Sequence, residues 1–564
     1  MDASTPDVDR RWLQHYDTNV PQHLDYPRIP LYRLLDDSAA RTPSASCASF
    51  FGKRYTYRSL KEASDYFAAA LQAQGVKAGD RVALLLPNSP QFIIAYYGIL
   101  KAGAVIVPLN PLYTERELTF HLSDSGAETV VTIPMFLEKV AGLVPQTPVK
   151  RVIYARLADF LPFPMGLASG LKERGEIKAG KAAPLVNMTD LLKQPLPAGW
   201  QPQPVDPEAM AVLIYSGGTT GVAKGIMLSH VALVSNAHQL QSWVNLDAEG
   251  RMLAVLPLFH GFGMSVTMNA VFLAGAETVL MPRFQAKAVL EAVQKFKPTF
   301  FVGVPTMFVA FSNVPDVDKY DLHSVKGIFV GAAPLTKGIK DEFEARAGAR
   351  LIEGYGLTEA VTAIMANPYK GLQKLGSIGL PFPDVDCKIV SLDGTTDMPP
   401  GETGEIVLRS PTTMLGYFNR PDDTTETLKD GWLFTGDIGH MDEDGYFYIT
   451  DRKKELIIVG GFNVFPREID ELIYQHPKVK EGICVGIPDE RKGERIKVFI
   501  VLKEGETATV DEFKTYFRER LVAYKVPSEV EFRSELPKSM IGKILRRQLR
   551  EEEISKQSSG DSHQ

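Results

Sequence analysis

At 564 residues, with 45% hydrophobic and 23% charged residues, the chain is globular in composition and too long for one ordinary core; this excludes a disordered or fibrous protein and predicts at least two domains. A formal charge of −6, without a basic domain or a long Lys/Arg stripe, argues against nucleic acid as a partner. The polar opening MDASTPDVDRRW lacks the basic-then-apolar order of a secretory signal. The best apolar run, FIIAYYGILKAGAVIV, is broken by Lys101 and two glycines, short of the roughly 18 uninterrupted residues of a membrane helix. A cytoplasmic location is therefore expected. Cys47, Cys387 and Cys484 are scattered, with no CxxC spacing, as packing residues in a reducing compartment would be.

In chain order, RVALLLP, SPQFIIAYYGILKAGA, VIVPLNP, TERELTFHLSDSGA and ETVVTIP alternate apolar β-branched runs with amphipathic segments, a β-α-β-α-β pattern. A less periodic stretch follows, ending in the Pro-rich connector KQPLPAGWQPQPVDPE. The alternation then returns in AMAVLIYS, LSHVALVSNAHQLQSWV, RMLAVLPLF, AKAVLEAVQKFKP, TFFVGVP and VKGIFVGAAP. Strands this short and apolar predict an α/β fold, a large N-terminal domain with several parallel sheets flanked by helices. From about Gly404 the β runs shorten. Beyond DRKKE, the segments ELIIVGGFNVF, PREIDELIYQH, EGICVGI, RIKVFIVLK, TVDEFKTYFRERL and SEVEFRS read as β, α, β, β, α, β, a small α+β domain. The expected division is 1–450, a hinge at 451–456, and a mobile lid at 457–564. The tail SKQSSGDSHQ is expected to fray.

The segment Tyr215–Gly225, YSGGTTGVAKG, follows an apolar strand and precedes an expected helix. Gly217, Gly218 and Gly221 let backbone amides approach an anion; Thr219 and Thr220 add donors, and Lys224 adds positive charge. This suits a phosphate cradle. It is not a Walker A loop, because Ala223 and Gly225 flank the lysine where that pattern needs Gly before and Ser/Thr after. Taken alone, it could equally be a flexible turn with a surface lysine.

Further motifs follow in order: PLFHGFG at 257–263, GAAPL at 331–335, EGYGLTE at 353–359, then TGDIG, DRKKELIIVGGFNV and PKSMIGKILRR. Together they resemble the adenylate-forming superfamily, which includes acyl-CoA synthetases, luciferases and peptide-synthetase adenylation domains, and the resemblance covers nearly the whole chain. It implies that Ser216, Gly217, Gly218, Thr219, Thr220, Gly221, Lys224 and Thr358 meet the ATP phosphates, and that Glu359 with Thr219 holds a magnesium ion. Gly331, Ala332, Ala333, Glu353, Gly354, Tyr355 and Gly356 are implied at the adenine, with Tyr355 stacking on it. Asp437 is implied at the ribose, with Arg452 as a second contact. Lys543 matches the lysine that offsets charge during adenylation. Lys454 matches the hinge, and Gly460 and Gly461 match the lining of the pantetheine tunnel for CoA, although an ordinary hairpin turn would use the same two glycines. His260 suits either the mouth of the acyl pocket or a satisfied core position. No nucleophilic triad is recognisable, so the phosphoanhydride of ATP would supply the activation.

NPLYTERELTFHLSDSGA at 110–127, GWLFTGDIGHMDEDGYFYITDRKKELI and VPSEVEFRSELPKSMIGKILRR resemble bacterial long-chain fatty acid CoA ligases in particular. That resemblance implies a fatty acid, ATP and CoA as substrates, converted through acyl-AMP and pyrophosphate to acyl-CoA and AMP. A medium-chain or aryl acid ligase and an acyl-AMP ligase loading a carrier protein remain alternatives. An inactive nucleotide-binding regulator would have no need of Glu359, Asp437 and Lys543 together. No motif specifies acyl length: GFGMSVTMNAVF and FVGVPTMFVAF suit an apolar tunnel and core packing equally. FLPFPMGL at 160–167 is either an exposed contact for the inner membrane surface or buried. A homodimer is a further expectation.

Overall fold

The computed structural model describes residues 8–180, 184–216, 223–331, 335–489, 491–538 and 544–560, the last without the side chains of 557–560. Two compact units emerge: Met1–Cys387 with Leu408–Leu433, and Lys388–Val407 with Phe434–Gln564. The second unit thus starts upstream of residue 451. Residues 434–450 belong to it because the strand Trp432–Met441 is laddered to Phe447–Arg452, and Gly401 joins them by donating its N–H to the Met441 carbonyl at 2.8 Å.

Two sheets build the first unit. One runs in the order Gly416–Tyr417, Lys224–Ser229, Met210–Ser216, Val105–Pro108, Arg81–Leu85, Thr129–Thr132, Arg151–Tyr154, Leu185–Asn187. The other runs Leu380–Pro381, Met365–Ala366, Arg350–Tyr355, Gly327–Val330, Phe300–Gly303, Arg251–Ala254, Glu277–Leu280, Ser46–Phe50, Lys53–Thr56. Their centres are parallel; both edges of the second sheet and the Gly416–Tyr417 edge of the first are antiparallel, while Leu185–Asn187 at the other edge of the first stays parallel. Strands such as Thr129–Thr132 and Phe300–Gly303 are wholly buried, as expected for parallel strands covered on both faces.

The apolar run near residue 95 is a buried helix, Pro90–Lys101, started by Pro90 and capped by Ser89. Lys101 lies fully buried, and its ammonium pairs with Asp36 and Asp65 at 2.6 Å each, the pairing that a buried charge requires. No helix among the described residues is long and apolar enough to cross a membrane. All three cysteines are buried and none forms a disulfide.

Three local expectations change. The less periodic stretch contributes the strands Arg151–Tyr154 and Leu185–Asn187 and the helix Met165–Ala179; strands of three or four residues are too short to show a period. After the glycine-rich loop comes the strand Lys224–Ser229, with the helix His230–Trp243 only beyond it. The polar tail continues a helix, Arg546–Gly560, as far as Gly560. In the second unit, ELIIVGGFNVF is a hairpin, Ile457–Val459 with Phe462–Val464. It turns at Gly460 and Gly461, whose φ of +59° and +85° favour glycine.

Candidate active site

Sheet pairing assembles the first part of the site. Gly416–Tyr417 adds antiparallel to Lys224–Ser229, with Tyr417 opposite Ile226, and Phe418 donates its N–H to the Gly225 carbonyl at 2.7 Å. Tyr417 is thereby delivered beside Lys224, whose ammonium lies 4.8 Å from the centre of the tyrosine ring and pairs with Asp423 on the helix Pro421–Thr427. The Tyr417 hydroxyl donates to Glu359 Oε1 at 2.9 Å, and Met414 donates its N–H to the Glu359 carbonyl at 2.8 Å. Burial and the neighbouring Glu359 carboxylate both raise the Tyr417 pKa, so the phenol remains a donor at neutral pH.

Glycine makes the second part possible. After the strand Arg350–Tyr355 the chain folds back on itself, Ile364 donating to the Tyr355 carbonyl at 3.0 Å. A side chain at Gly356 would place Cβ 1.1 Å from the Thr362 carbonyl, and one at Gly261 would meet Thr362 Oγ1 at 2.0 Å. Gly331 passes the Gly354 carbonyl so closely that a Cβ would meet it at 3.3 Å, and would meet the Phe262 ring at 3.5 Å. The segments 257–263 and 353–359 therefore converge on each other and on Gly331. Two residues after Glu359, Val361 and then Thr362 adopt φ of +61° and +95°, strain that only the surrounding packing can hold. Glu353, 8% exposed, accepts the Leu335 N–H on Oε1 at 3.2 Å, so one of its roles is to hold Leu335. Residues 354–359, among them Tyr355 and Thr358, are half-buried.

His260 caps the short helix Gly261–Met264, its Nδ1 accepting the Phe262 N–H at 3.2 Å. The neutral ring therefore carries its proton on Nε2. Its outer surface is open, while the protein crowded around it lowers its pKa by desolvation. Behind the strand Met210–Ser216, which leads to the glycine-rich loop, the Tyr215 hydroxyl donates to Asp124 Oδ2 at 2.7 Å, and the ring packs on buried His121. The two apolar segments differ. Gly261–Ala274 is helical with a π-turn at Ser265–Asn269. In the other, Phe301, Phe308 and Phe311 pack with Phe343, which makes those three rings core.

In the second unit, Asp437 stands opposite Arg452 in the hairpin ladder and pairs with its Nε at 2.9 Å. Asp437 is 2% exposed, whereas about half of the Arg452 side chain is open. Lys453 pairs with Glu405 at 2.6 Å; Lys454 is exposed on the turn Lys453–Glu455. Gly460 and Gly461 are exposed at the hairpin turn. Gly217, Gly218, Thr219, Thr220, Gly221, Ala332, Ala333 and Lys543 lie outside the described residues.

The family model for AMP-binding enzymes matches residues 35–418, and that for the AMP-binding enzyme C-terminal domain matches 468–543. The chain belongs to the AMP-binding enzyme family. Among similar relatives, a long-chain-fatty-acid–CoA ligase of Bacillus subtilis is 41% identical over 96% of this chain and 98% of its own length. A feruloyl-CoA synthase of Amycolatopsis is 35% identical over 91% of this chain and 96% of its own length. Among solved structures, the anthranilate CoA ligase AuaEII in complex with anthranoyl-AMP superposes with a TM-score of 0.81 at 26% identity, covering 96% of this chain and 99% of that one.

Motif reasoning about an AMP-binding enzyme misses Tyr417 and Asp423, which touch Glu359 and Lys224 from 58 and 199 residues away. It also misses Glu405, which accepts the Gly436 N–H at 3.0 Å beside Asp437. The signal for Tyr417 was sheet pairing, which a pattern of residue types does not encode.

Proposed function

We propose that the chain is a long-chain fatty acid:CoA ligase, which uses ATP to form acyl-AMP and pyrophosphate and then transfers the acyl group to CoA, releasing AMP. The observation that carries this reading is the Glu359–Tyr417–Lys224 arrangement at the end of the loop-bearing sheet, within a chain 41% identical to such a ligase over nearly its full length. Glu359 fits a magnesium ligand: Tyr417 occupies only Oε1, which leaves Oε2 as a hard oxygen donor. Thr219 is the proposed second ligand. When bound, the ion would neutralise phosphate charge during adenylation. Tyr417 fixes the Glu359 carboxylate; Lys224, held by Asp423, supplies a cation at the edge of the phosphate loop; the Asp437 carboxylate accepts from ribose hydroxyls, with Arg452 beside it. The proposed chemistry places an acid carboxylate in line with the α-phosphate and excludes water, without a protein nucleophile.

Pyrophosphate release over an acid panel, with and without CoA, tests the assignment. AMP is expected as the stoichiometric nucleotide product, and ADP would refute it. The 35%-identical feruloyl-CoA synthase favours an aryl acid as second reading, which a preference for cinnamic-type acids over palmitate would establish.

Residues 451–456 are proposed as the pivot between the half-reactions, because Lys543 and the Gly460–Gly461 turn serve different steps. Lys543→Ala is expected to abolish acyl-AMP formation yet still convert supplied acyl-AMP and CoA. Gly461→Leu is expected to do the reverse. Equal loss of both steps in both folded variants would remove the pivot.

Peripheral contact with the inner membrane surface is proposed at residues 163–178. Phe163 is 85% exposed, and Leu167, Leu171, Arg174 and Lys178 follow at helical spacing along the outer side of Met165–Ala179, an apolar and basic stripe suited to anionic lipid. Phe160 is not part of it: half-buried, it packs on Tyr55 and accepts the Tyr55 hydroxyl on its carbonyl. Flotation with anionic liposomes is expected to weaken for Phe163→Ser/Leu167→Ser; unchanged flotation would remove the contact.

A further inference from the structure

Arg251 opens the strand Arg251–Ala254, at the opposite end from the one leading to His260. A polar cavity lies near this end. Arg251 stands opposite Glu277 in one ladder, and Ser49 opposite Arg54 in another. Ser49 also pairs with Val279, two residues along from Glu277, so strand alternation puts Arg54, Ser49, Glu277 and Arg251 on one face of the sheet. With Lys295 and Phe296, at the end of the helix Ala286–Phe296, these residues line a cavity of about 70 Å³.

The charges around this cavity do not cancel. Glu277 Oε2 accepts from Arg251 Nε at 2.9 Å and the Phe296 carbonyl from Nη1 at 2.5 Å, while Nη2 has no hydrogen-bond partner among the described residues. Neither Arg54 nor Lys295 pairs with a carboxylate among those residues; the Lys295 ammonium lies 5.1 Å from the Phe296 ring centre. Three cations therefore face one carboxylate. Ser49 is 3% exposed, and its Oγ has no hydrogen-bond partner, although buried hydroxyls ordinarily find one. A buried donor without an acceptor, set among uncompensated cations, is the complement of an oxyanion.

We propose that this cavity binds a phosphate-class oxyanion, either inorganic phosphate or the terminal phosphate of a small monoester. Its volume is several times the roughly 10–15 Å³ that one water needs on the same measure, which admits a tetrahedral oxyanion. Ser49 donates its hydroxyl, Arg251 its free Nη2, and Arg54 and Lys295 close the open side.

The test titrates inorganic phosphate, and separately glycerol 3-phosphate, into the full-length protein by calorimetry with AMP saturating the nucleotide site. One equivalent of phosphate is expected to bind. Arg54→Gln/Lys295→Gln changes only exposed side chains, so it should keep the wild-type melting temperature and its ligase activity without added phosphate. Its phosphate affinity should fall by about tenfold or more, the scale of one lost charged hydrogen bond. Ser49→Ala should weaken binding less. Equal binding of glycerol 3-phosphate identifies monoesters as ligands, and binding of phosphate alone identifies the free ion; either upholds the site. A double variant that titrates like the wild type, or a wild type that binds no phosphate in the presence of AMP, overturns it.

Discussion

Glu359 in the first unit and Asp437 in the second are both carboxylates assigned to the nucleotide, yet they are held in opposite ways. Asp437 is oriented by the hairpin that contains it, since its ladder partner Arg452 is also its ion-pair partner. Glu359 precedes a strained turn and takes its orientation from Tyr417, on an edge strand contributed by a distant stretch of chain. Support by local register persists wherever the hairpin forms. Support by a distant edge strand exists only once the whole sheet is assembled, which ties the proposed metal ligand to the folded state of the entire first unit.

The largest expected effect comes from removing the distantly supported group itself. Glu359→Ala should slow pyrophosphate release by about 10²–10³-fold, comparable to losing a preorganised electrostatic contact, with an unchanged melting temperature. A loss below tenfold would break the comparison, because Glu359 would then not be the group that Tyr417 orients for catalysis.

Next is acid stability. Burial lowers the His121 pKa from its ordinary 6.5 to about 4, against the opposing pull of Glu117 and Asp124. Between those values the unfolded chain binds the extra proton. Stability is therefore fully present above pH 6.5 and is lost as pH falls toward 4, by at most roughly 3 kcal/mol. Melting curves from pH 7 to 4.5 should show a steeper fall for the wild type than for His121→Phe; parallel curves would remove His121 as the acid-sensitive support beneath Tyr215.

Tyr417→Phe isolates the long-range support. Deleting one hydrogen bond to a carboxylate should raise KM for magnesium–ATP by about tenfold and shift the magnesium requirement upward, with a smaller change in kcat. A purely structural tyrosine would lower the melting temperature and leave the magnesium titration unmoved. The smallest effect is expected for Arg452→Ala. Its side chain is half exposed, so the pair with Asp437 is solvent-screened, and KM for ATP should rise only about two- to fivefold, less so at high salt. A loss as large as that of Glu359→Ala would mean that the hairpin pair is not merely local.

The sequence by itself determined the elements whose physics is local. Apolar runs became buried strands, Ser89–Pro90 started a buried helix, and Gly460–Gly461 turned a hairpin. What only the tertiary structure decided was partnership across distance. Tyr417 and Asp423 reached Glu359 and Lys224, the short strands Arg151–Tyr154 and Leu185–Asn187 joined the first sheet, residues 434–450 went with the second unit, and Phe301, Phe308 and Phe311 became core. Periodicity and backbone restriction act over a few residues and leave a mark in any window of sequence. Which edge strand joins which sheet is settled by burial summed over the assembled fold, and no short stretch of residues carries that sum.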